Sequence, residues 1–213
     1  MKTLLLTLLS VNVLMATVTN YKVLDRDGAE IKNYSLDIVK SEYEIVCKMK
    51  DEIADVLKTD VSDLNGSTKS FTWKSKNTNV KGEVIDSVLY YKGMFKGKEV
   101  NLSISLDEGI PFILNTRDSL VPFIYSTKSS MYLYVTSSVA LGAYKFKATK
   151  EGMVTLKIDG KTYEAIEVDF SLAGVAGMFV DSDKLFFSAK DGKFLKRIDS
   201  RNNRVELIDA DWD

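Results

Sequence analysis

The chain has 213 residues, 45% of them hydrophobic, which is enough apolar material for one large packed domain and too much for a disordered chain. Its 29 basic and 30 acidic residues nearly cancel and are scattered, so no basic run tracks a phosphate backbone and a nucleic-acid partner has no basis. Histidine is absent and cysteine occurs once, which removes His-dependent nucleophile systems, the usual zinc and haem ligand sets, and any internal disulfide or redox pair.

Residues 1–16 have the order of a secretory signal peptide. Met1-Lys2 is a short basic start, Leu4 to Met15 is almost wholly apolar, Ala16 is a small residue for cleavage, and the polar Thr17-Val18-Thr19-Asn20 follows. The apolar stretch is short for a bilayer span, and no later stretch is long enough, so no transmembrane segment is expected after cleavage. The remaining 17–213 is expected to form a single exported β domain, periplasmic, with an extracellular location as the alternative.

Period-two alternation dominates from there. Asp27-Gly28 reads as a two-residue hairpin turn. Tyr34, Leu36 and Ile38 alternate with polar residues, and Tyr43, Ile45, Cys47 and Met49 place the lone cysteine on an apolar strand face as a buried, inert thiol. Asp51 to Leu64 reads as a helix, with Ile53, Val56, Leu57 and Leu64 on one side and Asn65-Gly66 ending it. Val100, Leu102, Ile104 and Leu106 alternate with Asn101, Ser103 and Ser105. Asp107-Glu108-Gly109 suits a longer hairpin, and Asp118 to Ser126 a short helix with Pro122 in its first turn.

From Met131 to Leu207 the pattern predicts a meander of about six strands, punctuated by Lys150-Glu151-Gly152, Asp159-Gly160 and Asp191-Gly192. Between Lys161 and Leu172 the apolar phase changes, from Tyr163 and Ala165 to Ile166, Val168, Phe170 and Leu172. That change predicts a β-bulge near Ala165-Ile166. Bulges curve sheets, so the expected fold class is all-β, mainly antiparallel: a curved sheet or partly open β-barrel with one or two short helices.

Three stretches resemble a family of exported bacterial proteins, domain of unknown function 3108, over about residues 97–207. Asp118-Ser119-Leu120-Val121-Pro122-Phe123-Ile124-Tyr125 is similar to its Asp-Pro-Leu-Ser-x-x-Tyr-Tyr helix. Lys161-Thr162-Tyr163-Glu164-Ala165-Ile166-Glu167-Val168 is similar to its Gly-x-Phe-x-Ala-x-Lys-Val strand. Leu185-Phe186-Phe187-Ser188-Ala189-Lys190-Asp191-Gly192-Lys193 is similar to its Ile-Trp-Leu-Ser-x-Asp-x-Arg hairpin, with Phe186 or Phe187 in place of the Trp. The resemblance implies a curved antiparallel sheet or open barrel in the cell envelope and no particular activity.

Glycoside hydrolysis needs only two acids across a cleft, and Glu164, Glu167, Asp169 and Asp183 are the candidates for a His-free carboxylate hydrolase. Asp181 with Asp183, and Asp209 with Asp211 and Asp213, do not follow a calcium-loop pattern, and no metal or cofactor is implied. The apolar connection Leu172 to Val180 and an excess of strand aromatics point instead to an apolar surface or cavity. Tyr132, Tyr134, Phe186, Met178 and Phe179 are the candidate ligand-binding residues. The leading expectation is a binding or carrier module for a lipid or other apolar small molecule. The rival is a structural component that meets an envelope protein partner through a sheet edge.

Overall fold

The computed structural model describes residues 15–51, 55–136, 141–174 and 181–208. The leader expected over 1–16 falls outside them except for Met15 and Ala16, with which the first strand begins. The N-terminal half is an up-and-down run of eight strands: β1 Met15–Leu24, β2 Glu30–Lys40, β3 Ile45–Asp51, β4 Val56–Ser62, β5 Thr68–Ser75, β6 Thr78–Ile85, β7 Val88–Phe95 and β8 Lys98–Ser105. Two short helices follow, α1 Thr116–Ser119 and α2 Val121–Tyr125. The C-terminal half is a second run: β9 Ser130–Val135, β10 Tyr144–Ile158, β11 Lys161–Leu172, β12 Asp183–Ser188, β13 Phe194–Ile198 and β14 Arg204–Ile208.

All fourteen strands belong to one antiparallel sheet, ordered β8-β7-β6-β5-β4-β3-β2-β1-β14-β13-β12-β11-β10-β9. The first and last strands lie side by side in its middle, with Tyr21 opposite Leu207 and Val23 opposite Val205. Strands β8 and β9 are its two edges and do not pair, so the sheet is curved and open. What spans the gap is the connection between them. Ile113 N donates to Tyr134 O and Tyr134 N to Pro111 O at β9, while Thr68 N donates to Phe112 O at β5, each at 2.8 Å. Tyr91 Oη, in β7, adds a side-chain stitch by donating to Gly142 O at 2.9 Å, with Thr136 Oγ1 also 2.9 Å away.

One sheet face is buried inside this curl. Its larger core includes Tyr21, Leu36, Leu133, Phe187 and Phe194 with Leu120, Phe123 and Ile124 of the helical segment. A smaller core gathers Phe71, Val80, Leu89, Tyr91, Leu106 and Phe112 under β5 to β8. Gly82 lies directly opposite Phe71, whose ring occupies the place a Cβ would take, at 2.1 Å.

Several expectations change. The helix expected over Asp51 to Leu64 is instead the end of β3 and the whole of β4; residues 52–54, with Ile53, lie outside the described residues. Neighbouring strands β3 and β5 claim both edges of this segment, and sheet pairing overrides a weak helical periodicity. Asp107-Glu108-Gly109 starts the crossing to the helices, and Asp27-Gly28 lies in a longer loop in which Asp25 Oδ1 accepts from Asp27 N and Ala29 N. Asp159-Gly160 is the two-residue turn expected, with both residues at positive φ.

Lys150-Glu151-Gly152 does not reverse the chain. It forms a bulge inside β10, where Lys150 pairs with Val168 and Gly152 with Glu167. The bulge expected at Ala165-Ile166 is therefore on the neighbouring strand. The phase change in β11 has a different cause: its two ends are covered on opposite faces. Val168 and Phe170 point into the curl. Beyond the bulge, the β10–β11 hairpin bends back over the outer face, where its tip residue Asp159 meets Lys22 of β1 at 2.5 Å. Ala165 and Ile158 are buried under that overhang, as are Phe186 and the ion pair Lys196–Glu206.

Candidate functional site

The two cores do not meet everywhere. Between β2–β4 on one side and β9–β13 on the other, the curl leaves a half-open cavity of about 520 Å³. The wall from β9, β10 and β11 is apolar: Val135, Tyr144, Phe146, Phe170 and Leu172, with the Phe146 and Phe170 rings stacked at 4.7 Å and 7°. The wall from β4 and the helical segment is polar: Lys58, Asp60, Asn115, Thr116 and Arg117. Leu36, Cys47 and Met49 line it from β2 and β3, and Asp183, Leu185 and Arg197 from β12 and β13.

Strand β4 is inverted relative to an ordinary half-buried strand. Lys58, Asp60 and Ser62 face inward, opposite Met49, Cys47 and Ile45 of β3, while Leu57 is 40% exposed. Asp60 Oδ2 accepts from Ser62 Oγ at 3.2 Å, Ser62 Oγ lies 3.2 Å from Thr68 Oγ1, and Leu114 N donates to Thr68 Oγ1 at 3.0 Å. This buried chain of hydrogen bonds ties the strand to the crossing segment. Burial pushes the Asp60 carboxyl up to about 7; the nearby Asp118 adds to the rise, while the Ser62 hydrogen bond and Lys58 oppose it. Burial also brings Lys58 down to about 8, helped by repulsion from Arg117 and Lys32 and opposed by Asp51 and Asp60. Its ammonium sits 4.3 Å from the centre of the Trp73 ring.

Arg117 is held by aromatic faces. Its guanidinium lies 4.7 Å from the Tyr34 ring and 5.6 Å from those of Tyr21 and Phe194. Asn115 caps α1, its Oδ1 accepting from Arg117 N at 3.1 Å while its Nδ2 donates to Asp118 Oδ2 at 2.9 Å and to Cys47 Sγ at 3.0 Å. The Cys47 thiol is 2% exposed and burial pushes its pKa far up, which keeps it in the unreactive thiol form. Arg197 Nη2 pairs with Asp183 Oδ2 at 2.5 Å.

Of the candidate ligand-binding residues read from the sequence, Tyr132, Tyr134 and Phe186 fall outside this cavity. Tyr132 and Tyr134 are on the side of β9 away from Leu133; Tyr132 is 48% exposed beneath the Lys145 ammonium, and Tyr134 packs on the smaller core. Phe186 is buried under the β10–β11 overhang. Met178 and Phe179 lie outside the described residues. Of the four acids, Glu164 accepts from Thr155, Glu167 pairs with Lys184, and Asp169 accepts from Ser182. Among those four, Asp183 alone lines the cavity. Lys58 and Asp60 were missed because a strand with its charges inside carries its signal in the phase opposite to the apolar one, and Arg117 because only the folded chain brings α1 beside that strand. The cue available was the strict alternation Lys58, Asp60, Ser62.

No group of three or more possible metal ligands occurs among the described residues, and none of their helices is long and apolar enough to cross a membrane. Comparison with family models, with curated proteins and with solved structures finds no match in any of the three. The likeness to the 3108 family rests on its three sequence motifs alone.

Proposed function

We propose that this chain is an exported, periplasmic binding or carrier module that holds a small amphipathic molecule inside its curled sheet. The observation that carries the reading is the half-open cavity of about 520 Å³, with an apolar wall from β9–β11 and a charged wall from β4 and α1. Small-molecule sites are concave, of roughly 300–1,000 Å³, mostly apolar, with a few placed polar groups. The leader-like residues 1–16 and the resemblance to the 3108 family support an envelope location. The test is native mass spectrometry of the protein purified from its own cell envelope, followed by organic extraction. A reproducible added mass that extracts as an apolar or amphipathic molecule, and that Leu172→Trp in the cavity wall removes, supports the reading. A clean mass with no uptake from envelope lipid extracts overturns it.

The exposed edge β8 favours a second reading, an envelope protein partner added as a further strand. Six of its eight residues are exposed, and its outer backbone groups have no strand beside them among the described residues. Pairing to β8 would leave the cavity untouched, so a captured protein that survives Leu172→Trp marks this second reading.

A further inference from the structure

The charges at the polar end of the cavity do not balance locally. Three cations line it, Lys58, Arg117 and Arg197, and only Arg197 has a carboxylate at ion-pair distance among the described residues. Lys58 lies against the Trp73 face, and Arg117 among the rings of Tyr21, Tyr34 and Phe194. Aromatic faces soften the burial of a cation without neutralising it. Asp60, two residues along β4 and on the same face, accepts from Ser62 and makes no ion pair with Lys58. Asp118 is turned to Asn115.

Lys58 and Arg117 repel each other across the cavity, Asp51 and Asp60 offset that on Lys58 and Asp118 on Arg117, and an anion placed between the two cations lowers the remaining repulsion. The guanidinium Nε of Arg117 is buried without a hydrogen-bond partner, which is a second unmet demand at the same place. On the opposite wall, the stacked Phe146 and Phe170 with Val135 and Leu172 form an apolar stretch, and Thr136 and Tyr144 are the hydroxyl-bearing side chains that line the cavity from that side. The cavity of about 520 Å³ lies within the range of single small-molecule sites, which suits one chain with its head.

Resting on the carrier reading above, we infer that the ligand is a single-chain amphiphile with one anionic head, the head seated between Lys58 and Arg117 and the chain along Phe146 and Phe170. Carboxylate and phosphate heads share this chemistry. The groups that face Lys58 from its surroundings are Lys32 of β2, Asp51 of β3, Asp60 of β4 and Arg117 of α1, so a bound anion adds to a site already held near its titration range.

The experiment measures displacement of a fluorescent apolar probe from the mature protein by hexadecanoate, hexadecyl phosphate, hexadecanol and hexadecylamine at pH 7. The expected result is that one or both anions compete at least tenfold better than hexadecanol, and that hexadecylamine is the weakest. Which anion wins assigns carboxylate or phosphate. Lys58→Met keeps the apolar stem, and it should weaken the anions at least tenfold while leaving hexadecanol unchanged; Lys58→Arg should restore them. In the wild-type protein, raising the pH from 7 to 9 discharges Lys58 and completes the ionisation of Asp60 beside it, and both changes should weaken hexadecanoate but not hexadecanol. Equal competition by hexadecanoate and hexadecanol, or an anion affinity indifferent to both Lys58→Met and pH, overturns the anionic head and leaves the carrier reading standing. Failure of all four amphiphiles to displace the probe, or of the probe to bind, overturns both.

Discussion

Asp60→Asn tests whether the inverted strand β4 places a carboxyl in a dry site. The side chain belongs to a residue 4% exposed, and its carboxyl titrates at about 7 in the fold against 3.8 when solvated. A carboxyl raised in this way binds its proton more tightly in the native state. Its contribution to stability is complete below 3.8 and is lost as pH rises through about 7. Integrating the linkage between those two values, the wild-type protein should lose about 2–3 kcal/mol between pH 5 and pH 8 through this one group. Lys58 works in the opposite direction, since its lowered pKa penalises the charged form. With a titration near 8 it regains well under about 1 kcal/mol over the same interval, so Asp60 dominates. Asparagine keeps an oxygen for Ser62 to bond and cannot ionise. Urea unfolding of both proteins at pH 5, 6, 7 and 8, analysed by linear extrapolation, isolates the term. Relative to the wild type, the variant should gain about 2–3 kcal/mol of stability on going from pH 5 to pH 8. Parallel pH profiles for the two proteins would refute the burial argument and with it the inward orientation of β4.

Three further outcomes are expected. Gly66 has φ +86°, and a Cβ there would lie 2.0 Å from Ser119 O, so Gly66→Ala should cost several times more than Gly97→Ala, which has φ +79° and open space; about 1 kcal/mol is expected for the latter in thermal or urea unfolding. Lys196 and Glu206 form a 2.7 Å ion pair at 13% and 9% side-chain exposure under the β10–β11 overhang. Glu206→Gln should therefore cost about 3–5 kcal/mol, whereas Lys196→Met with Glu206→Leu should be close to neutral; a single variant as stable as wild type would show that the overhang does not cover the pair. Cys47 should resist a disulfide exchange reagent in native buffer at pH 8 and react fully in urea, and rapid native labelling would contradict its burial.

The sequence by itself determined the fold class. Period-two alternation over 34–38, 100–105 and 154–158 is a property of each segment alone, and those segments are strands. The short helical stretch around Val121-Pro122 and the turn at Asp159-Gly160 were legible for the same reason: proline in a first turn and positive φ at an Asp-Gly pair are local chemistry. What the local pattern does not encode is which cover a face meets. The two phases of β11 look like one fault in the sequence, and only the folded hairpin shows that one end is covered by the inside of the curl and the other by the overhang. Likewise β4 reads as a weak helix because its charges occupy the inward phase, and those charges are tolerable only because β3, β5, Trp73 and α1 surround them. The pairing of β1 with β14, which sets Tyr21 opposite Leu207, joins two runs whose own turns say nothing about each other. The cavity is a product of that joining: its lining comes from both halves of the chain, and its cluster of cations exists only once they have closed around it.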